Sequence, residues 1–190
     1  QTKTLGCLAG EFSVPDDLPP ELKQGLFAAP GTYPVTARFA NASEFDDSKK
    51  DFRGMSLKVH DVEGDSLWGE PGTQDFLLNS HAALFAADPA EFLAFLQATA
   101  DGSLWKFFVN PRHWDALLVI LRGREKITDP LAIRYWSTTP YRFGIDRNIA
   151  VKYSVASCDS KVAADGNGEN RLVTGMQQHL NNNGGACFDF

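Results

Sequence analysis

The side chains that most often perform catalysis are scattered along this sequence. Its four histidines are His60, His81, His113 and His179, and they form no HxH, HExxH or HxxxH pair. The common zinc spacings are therefore missing, and each histidine is best interpreted as a structural, hydrogen-bonded residue. The chain also has no GxSxG, P-loop or GxGxxG segment, which argues against a serine hydrolase or a nucleotide site of those types.

The cysteines and the acidic pairs indicate little chemistry. Cys7, Cys158 and Cys187 have no CxxC spacing, and their odd number favours buried thiols, with one disulfide plus one free thiol as the alternative. Cys7 stands in the apolar run Gly-Cys-Leu, which predicts an inert, buried thiol. The pairs Asp16-Asp17 and Asp46-Asp47 are most simply solvated turns.

Three other segments form a more specific pattern. Residues 36–40 read Thr-Ala-Arg-Phe-Ala, and residues 51–59 read Asp-Phe-Arg-Gly-Met-Ser-Leu-Lys-Val. The third segment begins at Asn79 and continues through Phe85 and Asp88-Pro89 to Phe92. In order and approximate spacing they resemble three signatures of the haem catalase superfamily, over about residues 1–95. The signatures are an Arg-Phe-Ser strand, an Asp-Pro-Arg-Gly-Phe-Ala-Val-Lys-Phe strand and an Asn-Asn-Thr-Pro-Ile-Phe-Phe-Ile-Arg-Asp-Pro segment.

The resemblance implies a fold and a reaction class. The expected fold is α+β, a partial antiparallel β-barrel of the catalase type with helices after the first strands. It would form one domain over residues 1–190 that continues beyond Phe190. The resemblance, closest to the small bacterial catalase-related proteins, also implies haem b with its iron, and a peroxidase-like oxidoreductase acting on hydrogen peroxide or an organic hydroperoxide. In such proteins the cofactor supplies the redox chemistry and the protein supplies ligands and proton control.

Site residues follow from the same resemblance, position by position. Asn79 matches the catalytic asparagine that orients peroxide, and Arg38 matches the arginine of the first signature strand. Gly54 matches a close-approach glycine of the barrel wall, while Phe85 and Phe92 match aromatic residues that line the haem. Without the resemblance, Asn79 is equally well a turn former, and the two phenylalanines are more simply core residues.

The sequence departs from the family pattern at decisive positions. Gln1 occupies the place of the distal histidine, and an amide does not accept a proton near neutral pH. Ala40 replaces the serine that supports that histidine. No arginine is followed four positions later by a tyrosine, so the chain shows no axial iron ligand. We therefore expect weak or no peroxide turnover. The alternatives are a haem-free binding or structural module on the same fold and a fatty-acid hydroperoxide enzyme.

The elements that would position these residues can be read from periodicity and turn chemistry. Alternating apolar residues predict strands at 33–40, 55–62, 74–80 and 150–156, with a last strand beginning at 187. Helices are predicted at 21–27, from the Asp88 cap to about 99, at 111–121 and at 171–183. The polar segment 157–170 reads as a surface loop. Strands, then helices, then strands indicate an α+β chain.

Composition narrows the class of protein. The 190 residues include 14 phenylalanines, which suit a large apolar interior or a flat apolar ligand. A net charge of -6 without a basic cluster argues against a nucleic-acid partner. No apolar run is long enough for a membrane span, so we expect a soluble protein, with the cytoplasm favoured. The expected partners are a small-molecule peroxide and, because the last strand lacks a continuation, a second copy in a homo-oligomer.

Overall fold

A computed structural model describes residues 1–65, 69–144, 149–158 and 168–190. Its strands are β1 (Lys3–Val14), β2 (Gly31–Asn41), β3 (Arg53–Val59), β4 (Gln74–Asn79), β5 (Arg134–Ser137), β6 (Tyr141–Phe143), β7 (Ile149–Val151), β8 (Ser154–Ser157) and β9 (Phe188–Asp189). Its α-helices are α1 (Pro89–Ala100), α2 (Leu104–Val109), α3 (Trp114–Gly123) and α4 (Arg171–Asn183). Short 3-10 turns cover Pro20–Leu22, Gly25–Phe27, Pro111–His113 and Pro130–Ala132.

One curled antiparallel sheet organises the described chain. Its strand order is β1-β2-β3-β4-β5-β8-β9, and β6 pairs with β7 separately. The first four strands form a meander in which each strand pairs with the next one along the chain. Helices α1, α2 and α3 lie between β4 and β5 in sequence, and α4, the longest helix, lies between β8 and β9. The architecture is therefore a mixed α+β fold with a half-barrel sheet, as the sequence indicates.

Several elements follow the local sequence closely. β2, β3 and β4 lie within one to three residues of their predicted limits. The Asp88 carboxylate accepts a hydrogen bond from the backbone N–H of Glu91 at 2.8 Å and caps α1, with Pro89 in the first turn. α4 ends at Gly184, whose φ of 71° is the left-handed conformation that terminates helices.

Other elements differ from the prediction. The segment read as a helix at 21–27 is two 3-10 turns, and the helix read from 111 begins as a 3-10 turn before α3. The strand read at 150–156 is divided into β7 and β8. β1, α2, β5 and β6 were not predicted. β1 carries two glycines and a register shift between Thr4 and Gly6, which hide its alternation, and its long pairing with β2 defines it.

The two faces of the sheet differ in character. On one face lie the apolar residues of the core cluster, including Phe39, Met55, Leu57, Phe76 and Leu78. Five aromatic rings pack against one another and extend this cluster, namely those of Phe12, Phe27, Phe76, Tyr153 and Phe190. Cross-strand neighbours share a face, so the alternate residues project to the other side of the sheet. We call these two sides the core face and the outer face.

A buried polar network holds the loop after β2 and corrects one expectation. Asp47 is fully buried: its carboxylate accepts hydrogen bonds from Lys3, Asn41 and the backbone N–H of Leu172. Of the pair predicted as a solvated turn, Asp46 is partly exposed, whereas Asp47 is buried in this network. The neighbouring Arg53 is also buried, and that burial lowers the pKa of its guanidinium.

The favoured expectation of buried thiols is wrong, whereas the alternative of one disulfide plus one free thiol is confirmed. Cys158 and Cys187 form a disulfide, and their Cα atoms lie 5.4 Å apart because β8 and β9 pair beside them. Cys7 carries a free thiol and is exposed on β1, not buried. Spacing along the chain could not reveal a bridge between partners separated by 29 positions. Among the described residues, no helix is both long and apolar enough to cross a bilayer.

Candidate functional site

A row of small and polar residues crosses the outer face at one level. Cross-strand pairing places Thr4 beside Ala40, Ala40 beside Gly54, and Gly54 beside Asn79. Neighbouring strands lie about 4.8 Å apart, so these residues form a continuous line across β1 to β4. Ala40 and Gly54 at its centre have almost no side-chain height. The line is therefore a flat floor with a polar residue at each end.

The next row of residues across the outer face contains the charged Arg38 and the bulky Leu77. Here Cys7 pairs with Arg38, Arg38 with Ser56, and Ser56 with Leu77. Leu77 is 54% exposed, although it lies in the middle of a strand. A single exposed leucine is normal on a protein surface, so Leu77 contributes shape to this face but does not by itself indicate a ligand.

Gln1 folds over this floor and is fixed by Arg38. The Arg38 guanidinium donates one hydrogen bond to the Gln1 Oε1 at 2.5 Å and another to the Thr4 Oγ1 at 2.8 Å. The Gln1 Nε2 lies so close to Gly54 that a Cβ at that position would overlap it. A glycine is needed at position 54 for this approach. Both of these Arg38 acceptors are neutral oxygens, so neither neutralises the charge of the guanidinium.

Asn79 is oriented in a similar way at the other end of the floor. Its Oδ1 accepts the backbone N–H of His81 at 2.7 Å. Because the amide oxygens of both Asn79 and Gln1 are engaged, each side chain has its NH₂ group left to offer a ligand. Two amide donors and one guanidinium thus converge on the same face. This arrangement suits an oxygen acceptor, such as a peroxide or a carboxylate.

Helix α3 supports the rim of the floor through a close glycine contact. The Phe52 and His81 rings meet edge to face, with their centroids 6.2 Å apart. Gly123 at the end of α3 is buried against both of them, and a Cβ there would overlap the Phe52 ring. Sequence reasoning missed Phe52, Gly123 and the anchoring role of His81. Only the position of His81 two residues after Asn79 could have signalled that role, through the Asx-type turn.

The recess above the floor is small and open. It has a volume of about 220 Å³, and its lining includes Gln1, Phe52, Gly54, Leu77 and Asn79. This is below the range of about 300–1,000 Å³ typical of enclosed small-molecule sites. The recess can therefore receive one face or edge of a flat group, or a molecule of a few atoms.

The remaining predicted residues lie in a separate aromatic cluster. Phe85 and Phe92 contact each other, with ring centroids 5.6 Å apart, and Phe85 also packs on Phe95 at 4.5 Å. Phe95 in turn meets Phe107 of α2. The structure thus brings together Arg38, Gly54 and Asn79 on the outer face, and it places Phe85 and Phe92 with the helices α1 and α2.

The described residues that line the recess include no ligand for haem iron. Haem iron is held by histidine, cysteine, methionine or tyrosine. Among the described residues lining the recess, none has such a side chain. What the recess and its rim offer to a bound group is the amide donors of Gln1 and Asn79 and the charge of Arg38.

The other histidines do not form a second site. His179 is fully buried, and its Nδ1 bonds the equally buried Asp129 carboxylate at 2.5 Å. Asp129 also caps the turn that begins at Pro130 by accepting the backbone N–H of Leu131. This pair is closed off from solvent and serves packing. Within the described chain, no three histidine, cysteine or acidic side chains are grouped so as to hold a metal ion.

Comparison with known proteins adds no relative. No protein-family model matches the chain, and no curated protein matches it either.

Proposed function

We propose that this chain provides the peroxide-side wall of a haem site in a catalase-related protein, acting on hydrogen peroxide or an organic hydroperoxide. One observation carries the proposal: Gln1, Arg38, Gly54 and Asn79, which the resemblance selects from separate segments, meet on one flat outer face. A haem bound there would supply the redox chemistry. The axial ligand would come from outside the recess.

Each residue has a definite task in this proposal. The Asn79 and Gln1 NH₂ groups donate hydrogen bonds to a peroxide oxygen and hold it above the floor. Arg38 suits a carboxylate at the rim, such as a propionate of the porphyrin, because a guanidinium donates two parallel hydrogen bonds to it. Gly54 keeps the floor flat. Among the described residues that line the recess, none accepts a proton near neutral pH, so we expect peroxide cleavage there to be slow.

Haem binding can be tested on the chain directly. Haemin is titrated into the protein with imidazole present as an external axial ligand, and the Soret absorbance is followed. We expect a saturable change that Gly54→Leu abolishes by filling the floor. Thr32→Leu, which places the same leucine side chain at the exposed far end of β2, leaves it intact. A Soret change that does not saturate with haemin would falsify the proposal, and so would equal effects of the two substitutions.

A gain of activity tests the missing base. In the haem-loaded protein, Gln1→His places a proton acceptor over Gly54, and we expect peroxide turnover to rise by about 10²–10⁴-fold. Gln1→Asn has no such acceptor and serves as the control. An Asn79→Ala change in the Gln1→His protein lowers turnover again. Equal rates for the histidine and asparagine variants contradict the assigned roles.

A haem-free binding module on this fold is the second candidate. The observation that favours it is the recess itself, which is small and lacks an iron ligand among its described lining residues. In that case the two amides and Arg38 bind a small anion. The haemin titration separates the two candidates, because only the first predicts a Soret change.

A further inference from the structure

The curled sheet has an open side that is lined like a binding groove. Within the described residues, β1 and β9 are the two edge strands of this sheet. Between them lies a cavity of about 640 Å³, nearly three times the recess of the outer face. Its lining includes six consecutive residues of β1, Cys7 through Phe12, and on the other side Ala186, Phe188 and Phe190. The cavity therefore follows the gap between the edge strands.

Strand direction defines what can close this gap. Every neighbouring pair in the seven-stranded sheet is antiparallel, so the first and last strands run in the same direction. β9 cannot pair with β1 as an antiparallel neighbour. One additional strand running the opposite way would be antiparallel to both edges at once. Both edges would then gain backbone partners.

The residues that line the groove indicate which side chains such an additional strand would carry. Its inner lining is apolar, with Phe12, Phe39 and Leu57 of the core face among the residues that the cavity reaches. Among the described residues that line it, Glu11 is the only charged one, and Asp189 is exposed on the opposite edge strand. An occupant with apolar residues facing inward and basic residues facing outward would complement both features.

We propose that this groove is a strand-binding site for an extended peptide segment. The segment runs antiparallel to β1 and β9, with apolar side chains at alternate positions and lysine or arginine between them. Its backbone completes the hydrogen bonds of the two edges, and its apolar side chains fill the cavity. Its basic side chains meet Glu11 and Asp189. The site is independent of the outer-face recess and of any bound haem.

The test uses synthetic strands on the full chain. A fluorescein-labelled peptide of about seven residues alternating lysine and valine is titrated by fluorescence anisotropy, with the disulfide kept oxidised. Two control peptides have the same composition, one with the valines grouped together and one with alternate backbone amides N-methylated. We expect saturable binding of the alternating peptide alone, together with slower hydrogen exchange of the β1 amides from Cys7 to Phe12.

Charge reversal locates the bound peptide. The double variant Glu11→Lys/Asp189→Lys should weaken binding about tenfold. The matched variant Asp17→Lys/Glu21→Lys, at exposed residues outside the groove, should not. Three results overturn the proposal: no saturation, equal binding of the grouped or N-methylated peptide, and self-association of the chain that protects the β1 amides without peptide. The last would show that a second copy occupies the groove.

Discussion

Tyr135 illustrates how a single side chain links the interior to pH. It is fully buried and its hydroxyl donates to the Pro130 carbonyl oxygen at 2.7 Å. Burial raises the pKa of the Tyr135 hydroxyl far above its usual value, while the nearby Arg53 charge opposes that rise. The folded protein therefore keeps this hydroxyl protonated over the whole range in which a free tyrosine ionises.

The sign of the pH effect follows from the two states. In the unfolded chain, Tyr135 loses its proton near its ordinary pKa of about 10, whereas the folded chain retains it. The protonated Tyr135 hydroxyl therefore contributes its full share to the free energy of unfolding below pH 10. This share is lost as the pH rises above 10, because unfolding then releases a proton. We expect the free energy of unfolding to decrease above pH 10.

Substitution isolates this contribution. Tyr135→Phe should cost about 1 kcal/mol at neutral pH through the lost hydrogen bond and should flatten the alkaline decrease. The measurement is denaturant unfolding at pH values from neutral to alkaline. Tyr141→Phe, at an exposed tyrosine, is the control and should keep the wild-type slope. An alkaline slope unchanged by Tyr135→Phe contradicts the argument.

At the level of elements, β8, β9 and α4 form a C-terminal unit that is joined covalently. The Cys158–Cys187 bridge lies where the backbone N–H of Cys158 bonds the Cys187 carbonyl oxygen at 3.1 Å. α4 lies in sequence between the two cysteines. The bridge therefore restricts the chain that carries α4 in the unfolded state, which is the main source of a disulfide's stabilisation.

Removal of the bridge has a predictable cost. The double variant Cys158→Ser/Cys187→Ser should lose about 3–4 kcal/mol of unfolding free energy, as expected for a closed loop of about 30 residues. Cys7→Ser removes the exposed free thiol and should change stability by less than about 0.5 kcal/mol. Denaturant unfolding without reductant measures both. A loss below about 1 kcal/mol for the double variant would show that native packing alone holds α4.

At the scale of the whole molecule, Asp47 joins the N-terminal meander to the C-terminal helix. Its Oδ1 accepts from Lys3 of β1 and Asn41 of β2, and its Oδ2 accepts the backbone N–H of Leu172 in α4, 125 positions away. The carboxylate is thus also a cap on the first turn of α4. One buried charge satisfies donors from three elements.

Loss of this junction should affect the entire fold. Asp47→Ala removes the charge and leaves buried donors unpaired, so we expect a loss of about 3–5 kcal/mol in the free energy of unfolding. Asp46→Ala tests the adjacent carboxylate, whose pKa is lowered by hydrogen bonds from Ser48 but which joins no distant elements. Thermal and denaturant unfolding would measure both variants. Similar losses in the two proteins would show that the loop, and not the junction, matters.

Local chemistry made part of this fold predictable from sequence. β2, β3 and β4 alternate cleanly, and Asp88-Pro89 and Gly184 carry the helix-end signals of α1 and α4. β1 was hidden because its glycines interrupt the alternation, and its partner strand, not its own residues, determines its register. The disulfide depends on β8–β9 pairing, which spacing along the chain does not encode.

The candidate site also contains residues that the sequence could predict and residues that depend on tertiary packing. The pattern of signatures selected Arg38, Gly54 and Asn79, and register then placed them on one face. Phe52, Gly123 and the backbone of His81 support that face through contacts between distant segments. The contacts of Phe52 and Gly123 depend on packing, so no sequence pattern at those two positions could have predicted them. Only the local turn from Asn79 to the His81 backbone had a sequence signal. The haem and the peroxide remain proposals.

The sequential strand order of the meander has a consequence for how the protein is made. β1 to β4 pair only with sequence neighbours among themselves, so their loops close early and at small entropic cost. α4, which packs Leu172 and Met176 into the core cluster, and Cys187 of the disulfide are synthesised more than 90 residues later, since β4 ends at Asn79 and α4 begins at Arg171. A nascent chain thus carries an uncovered phenylalanine-rich face for many seconds of translation. We expect the nascent chain to be most prone to aggregation during that interval.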